Sequence, residues 1–509
     1  MKILKILLIL STMSLRQSAP WLLFITIGLI YILFPTRVYY WDGIVFAQAI
    51  EDASRLDPSL VHPNHLIYNF VGYLFYKLLR SFGVEIRAIT ALQILNCFLS
   101  AACARIFFSI LMDTLRSLYI AMCLTLLFAF SATWWKFSTD ANAYIPSVLF
   151  LLISFYLVLP KQKARPLLLG VTFFISLAFH QLAVLMWPVL AFGVYLQNGE
   201  LSIKRRTLNA FYFTTVAAVL IVASYSYLFY LASGTFDLQR LLSWSASYSP
   251  DADTRFHLWS NLQYSLRGQV RLFFGGRLNL LKGLMNPMVI VLIAALVSAA
   301  ALLFFNTLRG LATAILIGRV PKLRLETRQK TVLLLSLLWT FVYLVFLFFW
   351  LPQNTFYRLF YLPGVILLLG LLLSAVQNKA RNRRTLAAFV VAVALANFLF
   401  LIYPFSHVEK FPPLAFALQM NREWPEDTVI YYGAPNSDQA LVRYFNPTTQ
   451  WKLLPESPTT ITEAAWLETT AIDRLNSSAS GANWLMTHRR SVRELDDGAY
   501  RIRFVEIEF

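Results

Sequence analysis

The sequence predicts an all-α polytopic membrane protein, with eleven to thirteen transmembrane or re-entrant helices and a small α/β domain at its C-terminal end. Three observations carry this reading. Apolar residues make up 58% of the 509 positions and charged residues only 14%, with a mean hydropathy of +0.60. Runs of about 20 apolar residues, the length that crosses a bilayer, recur along the chain. Basic residues gather between these runs in alternate loops, as the positive-inside bias requires. A soluble globule of this composition would expose too much apolar surface. The same composition excludes a disordered chain, a coiled coil and a secreted disulfide scaffold. The formal charge of +18 would point to nucleic acid in a soluble protein. Here the loop bias accounts for it, and no nucleic-acid partner is expected. Cys97, Cys103 and Cys123 all lie in apolar runs and have no metal-site spacing.

Taken in order, Lys2, Lys5 and Arg16 precede a first span at 20–35, which puts the N-terminus in the cytoplasm. The short apolar stretch 6–10 resembles a signal peptide, but no convincing cleavage site follows and it is kept. Residues 36–64 then face outward, with two basic and four acidic residues. The segments 161–166, 197–206, 307–330 and 378–384 are strongly basic and read as cytoplasmic. Spans near 143–160, 207–231, 286–306, 331–350, 363–377 and 385–403 connect them. The run 167–196 starts and ends in the cytoplasm, so it reads as a helical hairpin with His180 and Gln181 near its apex. Three apolar runs, 65–82, 88–111 and 116–134, lie where parity allows two crossings. Arg80, Arg87, Arg105 and Arg116 bracket the middle run, so 88–111 is expected to be bent or re-entrant. That leaves about eleven crossings.

Residues 1–403 thus form a membrane domain and 404–509 a soluble outward one. The second stretch carries 10 basic and 14 acidic residues, the opposite balance to the whole chain. Residues 427–433, 450–454 and 500–509 read as strands, and 437–445 and 462–476 as helices. Strands alternating with helices predict the α/β domain.

No Walker loop or dinucleotide-binding glycine pattern is present. Asp251-Ala252-Asp253 has the spacing of a metal-binding pair but reads better as a polar turn. The candidate chemistry lies at the outer membrane edge. Tyr39-Tyr40-Trp41-Asp42-Gly43 places a carboxylate among aromatics, where lost hydration makes it a competent general base; capping the next helix is its competing role. His62-Pro63-Asn64-His65 opens the next run, with Pro63 at the helix start. Trp135-Lys136-Phe137-Ser138-Thr139-Asp140-Ala141-Asn142-Ala143-Tyr144 supplies a second acid before a span, again with capping as the alternative. His180 reads first as a hydrogen-bonded core residue. Arg358, in a short outward loop, suits a lipid phosphate unless it merely reaches for the interface.

The order of these pieces resembles the GT-C class of integral-membrane glycosyltransferases, in its protein O-mannosyltransferase and aminoarabinose-transferase-like branch. The motifs that match are Trp41-Asp42-Gly43, His62-Pro63-Asn64-His65, the stretch from Ser138 to Tyr144, and the run 170–188; the outward tail also fits. The sequence departs from the family in having Asp42-Gly43 for two adjacent acids, His-Pro-Asn for His-Pro-Pro, and Asp140 where the closest branch has Glu.

The resemblance implies transfer of a monosaccharide from a polyprenyl-phosphate-linked donor to an acceptor hydroxyl, outside the membrane and with inversion. Asp42 would be the base. Arg358, Lys136, His65 and His62 would serve the donor phosphate, and Asp140 would orient the acceptor or a divalent cation. His180, Tyr144 and Trp41 would line the pocket. The acceptor would be a protein, lipid or glycan, and membrane lipids are further partners; the excess of basic residues in the outward loop 232–285 points to anionic ones, with a solvated amphipathic helix as the alternative. A bacterial inner membrane, with the C-terminal domain in the periplasm, is the expected location. The alternatives are a polysaccharide polymerase or ligase, a lipid-linked-sugar transporter, and a scaffold. No internal repeat of the kind transporters show is evident.

Overall fold

Apolar helices build the first part of the chain. The computed structural model describes residues 15–160, 162–197, 201–247, 256–276, 286–316, 325–375, 380–435, 437–496 and 500–509. Five helices among them are long and apolar enough to cross a membrane: Arg16–Leu33, Ala88–Leu115, Ile203–Ser233, Thr327–Trp350 and Arg383–Phe405. A bent pair, Leu118–Phe130 with Ala132–Ser138, passes the same test as one span, and five shorter apolar helices accompany these. The protein is an integral membrane protein of predominantly helical architecture. Two compact units are distinguished: one runs to Pro35 and from Ala49 to Pro404, the other joins Thr36–Gln48 to Phe405–Phe509.

The first helices are α1 (Leu15–Leu33) and α3 (Tyr68–Ser81) of the first unit, with α2 (Trp41–Asp52) between them in sequence and its residues up to Gln48 assigned to the second unit. The His-Pro segment does not open a span. Residues 61–67 form turns, and α3 is a fourteen-residue helix with one buried face, Tyr68, Asn69, Gly72, Tyr73 and Tyr76. It carries Lys77 and Arg80 and is not among the apolar helices, long or short.

The expected bend in 88–111 is absent. α4 (Ala88–Leu115) is one unbroken 28-residue helix. Three of the arginines that pointed to a re-entrant element have other roles. Arg87 pairs with Glu51 (Nη2 to Oε2 2.8 Å), and Glu51 Oε1 also accepts from the Ala88 amide, capping α4 from a distance. The Arg105 guanidinium lies 4.0 Å from the Trp21 ring centroid, an attraction that offsets its loss of hydration. Arg116 takes φ +54° and ends the helix, allowing a two-residue link into α5 (Leu118–Phe130).

The bend falls instead at Ser131, where α5 turns by 65° into α6 (Ala132–Ser138). A bend strips the preceding carbonyls of their helical partners, and inside a membrane domain each must find another. Tyr31 Oη donates to Ala129 O (2.6 Å), the Ser131 hydroxyl to Phe128 O (3.0 Å), and Asn397 Nδ2 to Phe130 O (2.8 Å).

The remaining helices are α7 (Tyr144–Leu157), α8 (Pro166–Phe179), α9 (Trp187–Leu196), α10 (Ile203–Ser233), α11 (Leu238–Ala246), α12 (Leu258–Phe273), α13 (Pro287–Leu316), α14 (Thr327–Trp350), α15 (Leu362–Ala375) and α16 (Ala380–Asn397). The run 167–196 breaks at His180, as the hairpin reading requires, and a 3-10 turn, Gln181–Met186, leads into α9.

The second unit holds a five-stranded sheet in the order β2-β1-β3-β5-β4, with β1 (Val429–Tyr432) parallel to β2 (Gln450–Leu453) and β3 (Ala465–Glu468). β5 (Arg501–Ile507) runs antiparallel to β3 and to β4 (Arg489–Asp496). Side chains alternate between its faces. Val429, Tyr431, Val505 and Ile507 pack with α19 (Thr469–Asn476) and α20 (Ala479–His488), while Ile430, Ile502 and Phe504 pack with α17 (Pro412–Glu423) and α18 (Ser437–Phe445). The single helix expected over 462–476 is strand β3 followed by α19. Residues 36–48 belong to this unit: the Arg37 amide donates to Phe405 O (2.6 Å), and Tyr39 stacks on Phe445 with centroids 5.8 Å apart.

Candidate functional site

In the first unit, four of the predicted residues meet in one cluster of rings. His62 stacks on His65 (centroids 5.0 Å), His65 meets His180 edge-on (4.8 Å), and His180 lies against Tyr144 (4.9 Å). Local backbone bonds hold the cluster. The Ile67 amide donates to Ala178 O (3.2 Å) and the Gln181 amide to Asn64 O (3.3 Å), so the His-Pro turn docks on the break between α8 and α9. Gln181 Nε2 also donates to Ser245 O (2.9 Å), and Tyr225 Oη donates to Pro63 O (2.7 Å).

The hydrogen bonds assign the imidazole tautomers. His65 Nδ1 faces the Phe179 carbonyl at 3.1 Å, which only accepts, so Nδ1 carries its proton. His180 Nδ1 accepts from the Leu182 amide (3.0 Å) and His62 Nδ1 from the Asn64 amide (3.2 Å), so each keeps its proton on Nε2. Burial pushes His62 down to about 4, and burial with the neighbouring His180 and His62 holds His65 well below the ordinary imidazole range. Both are therefore neutral at pH 7 and offer hydrogen bonds rather than positive charge.

Acid should destabilise the fold through His62. The unfolded chain binds a proton near pH 6.5, the folded chain only near 4. Stability is full above about pH 6.5 and falls as the pH drops toward 4. Thermal unfolding in detergent at pH 7.5 and pH 5 should show a smaller acid loss for His62→Gln than for wild type.

The loop from Thr139 to Ala143 brings in the second acid. Asp140 is fully buried, and its carboxylate is paired with the Lys136 ammonium one helical turn earlier, while Oδ1 accepts from the Ala141 amide (2.9 Å). Asp140 does not cap α7. That role belongs to Asn142, whose Oδ1 accepts from the Tyr144 and Ile145 amides (3.1 and 3.2 Å). A row of polar side chains on one face of α4 fixes the loop: Gln93 donates to Thr139 O (2.9 Å), Asn96 to Asp140 O (2.7 Å) and Asn142 O (2.9 Å), and the Ser100 hydroxyl to Ser138 Oγ (2.8 Å). These residues were not among the expected site residues. Their spacing within an otherwise apolar run is the signal that marks them.

Arg358 lies on a 3-10 turn, Phe356–Phe360. It does not reach for the interface. Its guanidinium is buried and donates to Asn354 O (3.0 Å), Tyr361 Oη (2.7 Å) and Pro352 O (2.7 Å). The same turn presents Phe356, Tyr357 and Phe360 to the ring cluster; Tyr144 stacks on Phe356 (5.3 Å) and His180 meets Phe360 (5.2 Å). None of these three was expected. Gly268 of α12 rests on the guanidinium, and a Cβ there would lie 2.3 Å from Arg358 Nε. Because three hydrogen bonds hold Arg358, it cannot swing aside cheaply. Gly268→Ala should cost about 1–3 kcal/mol through overpacking, read as a lower unfolding temperature.

Asp42 and Trp41 lie in residues 36–48, within the second unit. Asp42 falls inside the first turn of α2, one residue past the helix start, so it is not the cap. It is half-buried. Burial raises its carboxyl above the usual range, while a hydrogen bond from Tyr40 opposes the shift. A raised carboxyl still ionised at neutral pH makes a stronger base than an ordinary one. Trp41 is largely exposed. Among the described residues no group of three or more His, Cys, Asp or Glu is placed to hold a metal ion. Asp251-Ala252-Asp253 lies outside the described residues.

The apolar helices, the broken span and the appended sheet domain define an integral membrane protein with the GT-C glycosyltransferase fold. Among the solved structures it resembles are two of ArnT from Cupriavidus metallidurans. The one bound to undecaprenyl phosphate matches with a TM-score of 0.61 at 10% identity, over 95% of this chain and 97% of that one. The apo structure matches with a TM-score of 0.62 at 11% identity, over 96% and 98%. No protein-family model matches the sequence. No curated protein matches it either.

Proposed function

We propose that the protein is a membrane glycosyltransferase that moves a sugar from a polyprenyl-phosphate-linked donor to an acceptor hydroxyl. The observation that carries the reading is the joint occurrence of the GT-C fold over almost the whole chain with the buried His65–His180–Tyr144 cluster beside the Lys136–Asp140 loop. The similar ArnT bound to undecaprenyl phosphate supports a lipid-phosphate donor.

Asp42 takes the proton from the acceptor hydroxyl. The oxygen attacks the anomeric carbon, the bond from that carbon to the phosphate oxygen breaks, and the phosphate leaves with the electron pair, so configuration inverts. Within the first unit, Lys136, held by Asp140, offers the positive charge that a leaving lipid phosphate needs, and the neutral histidines offer hydrogen bonds. Arg358 fixes the aromatic turn against Tyr144 and His180. The second unit is a soluble domain outside the membrane that serves the acceptor. With α3 off the membrane, and α4 and the bent pair each crossing, the parity of the chain closes at eleven crossings, with the C-terminal unit on the outer side of a bacterial inner membrane.

The test is transfer in proteoliposomes from a panel of radiolabelled donors, with a membrane extract as the source of acceptors. Sugar leaving only polyprenyl-phosphate donors, with the opposite anomeric configuration in the product, supports the reading. Transfer from nucleotide sugars, or none from any donor by folded protein, overturns it.

A further inference from the structure

The helices that carry the ring cluster at one end build a second polar place at the other. A cavity of about 840 Å³ is lined by Pro160, Lys163, Leu196, Arg205, Arg328 and Thr331, among others. α7 starts at Tyr144 and ends just before Pro160, α8 starts just after Lys163 and ends beside His180, and α9 ends at Leu196. Fourteen helical residues span about 21 Å, so the cavity is separated from the ring cluster by roughly that distance.

Its lining is cationic. Lys163 and Arg205 are exposed into it. Arg328 is mostly buried: its Nε and Nη2 make no hydrogen bond, and Nη2 lies 3.8 Å from the Asp113 carboxylate. Against three cations this is one carboxylate, so the balance is positive. The first turns of α10 and α14 also line the cavity, the first capped by the Ser202 hydroxyl and the second by the Glu326 carboxylate. The walls are held in place. Gln197 Nε2 donates to Leu157 O (2.7 Å) and Leu159 O (3.2 Å), and Gln329 Nε2 donates to Thr114 O (3.2 Å). The cavity also has an apolar side, Pro160, Leu196 and Leu201.

We propose that this cavity binds a phosphate-bearing anion and that its occupant is the headgroup of an anionic phospholipid from the leaflet on that side. The converging cations Lys163, Arg205 and Arg328 recognise a phosphodiester. The apolar wall of Pro160, Leu196 and Leu201 gives acyl chains a place that a soluble phosphate does not need. The site is separate from the donor end of the helices and stands whether or not the transferase reading holds.

The experiment is lipid titration of the full-length protein in detergent, followed by native mass spectrometry, with phosphatidylglycerol and phosphatidylcholine as probes. Wild type should bind phosphatidylglycerol at least about tenfold more tightly, the scale of one well-placed charge pair. Lys163→Gln with Arg205→Gln should lose that preference, and Arg384→Gln, at an exposed arginine outside the cavity, should keep it. Arg205→Lys, which retains the charge, should keep most of it and shows that loss in the double variant is not misfolding. Millimolar inorganic phosphate should not displace the lipid. Equal preference in wild type and double variant overturns the site, and displacement by inorganic phosphate overturns the lipid as its occupant.

Discussion

Asp42→Asn should lower the turnover number by roughly a hundred- to ten-thousand-fold, the range that a positioned general base contributes. The amide keeps the shape of the carboxylate but cannot take a proton. Donor binding should stay within about twofold, since the base acts on the acceptor. The pH profile adds an independent check. Burial raises the Asp42 carboxyl, so its basic form is lost as pH falls through that raised value. The acid limb of kcat/KM in the wild type should therefore lie above the ordinary carboxylate pKa of about 4. Residual activity of Asp42→Asn should lack that limb. A variant that transfers sugar at the wild-type rate removes Asp42 from the mechanism.

Lys136→Met should be the most damaging change in the first unit. It leaves the fully buried Asp140 without its ammonium partner. Removing one half of a buried pair costs about 3–5 kcal/mol, because the remaining charge is stranded away from water. Unfolding in detergent reads this directly. Lys136→Met combined with Asp140→Asn removes both charges and should recover most of the lost stability. It should not recover transfer, because the cation that meets the leaving phosphate is still missing. Recovery of activity together with stability would make the pair purely structural.

The class of fold was legible because the bilayer imposes run length and the loop bias imposes charge. What failed were inferences that treated arginines as topological markers without knowing their partners. Arg87 and Arg105 are answered by Glu51 and Trp21, contacts between residues far apart in sequence that no run length reveals. The short α3 was hidden for a related reason. Tyr, Phe and Leu make a stretch look like a span whether its aromatic face meets lipid or protein. The break at His180 was visible, because a polar pair interrupts a run too long to cross once. In the site, the chemically distinct residues stood out: His62, His65, His180 and the Lys136–Asp140 loop. Phe356, Tyr357 and Phe360 did not, since aromatics in an apolar protein carry no local sign of their role. Gln93, Asn96 and Ser100 carried such a sign in their helical spacing. In the tail, strand β3 was read as helix because its four residues are apolar and acidic like the helix that follows.

Phosphorus NMR of proteoliposomes loaded with a polyprenyl-phosphate sugar tests the central claim most directly. A lipid-phosphate glycosyltransferase converts the donor's phosphodiester resonance into that of a phosphate monoester, only when protein and acceptor are both present, and far more slowly with Asp42→Asn. A phosphodiester signal that persists beside folded wild-type protein and a competent acceptor would contradict the account.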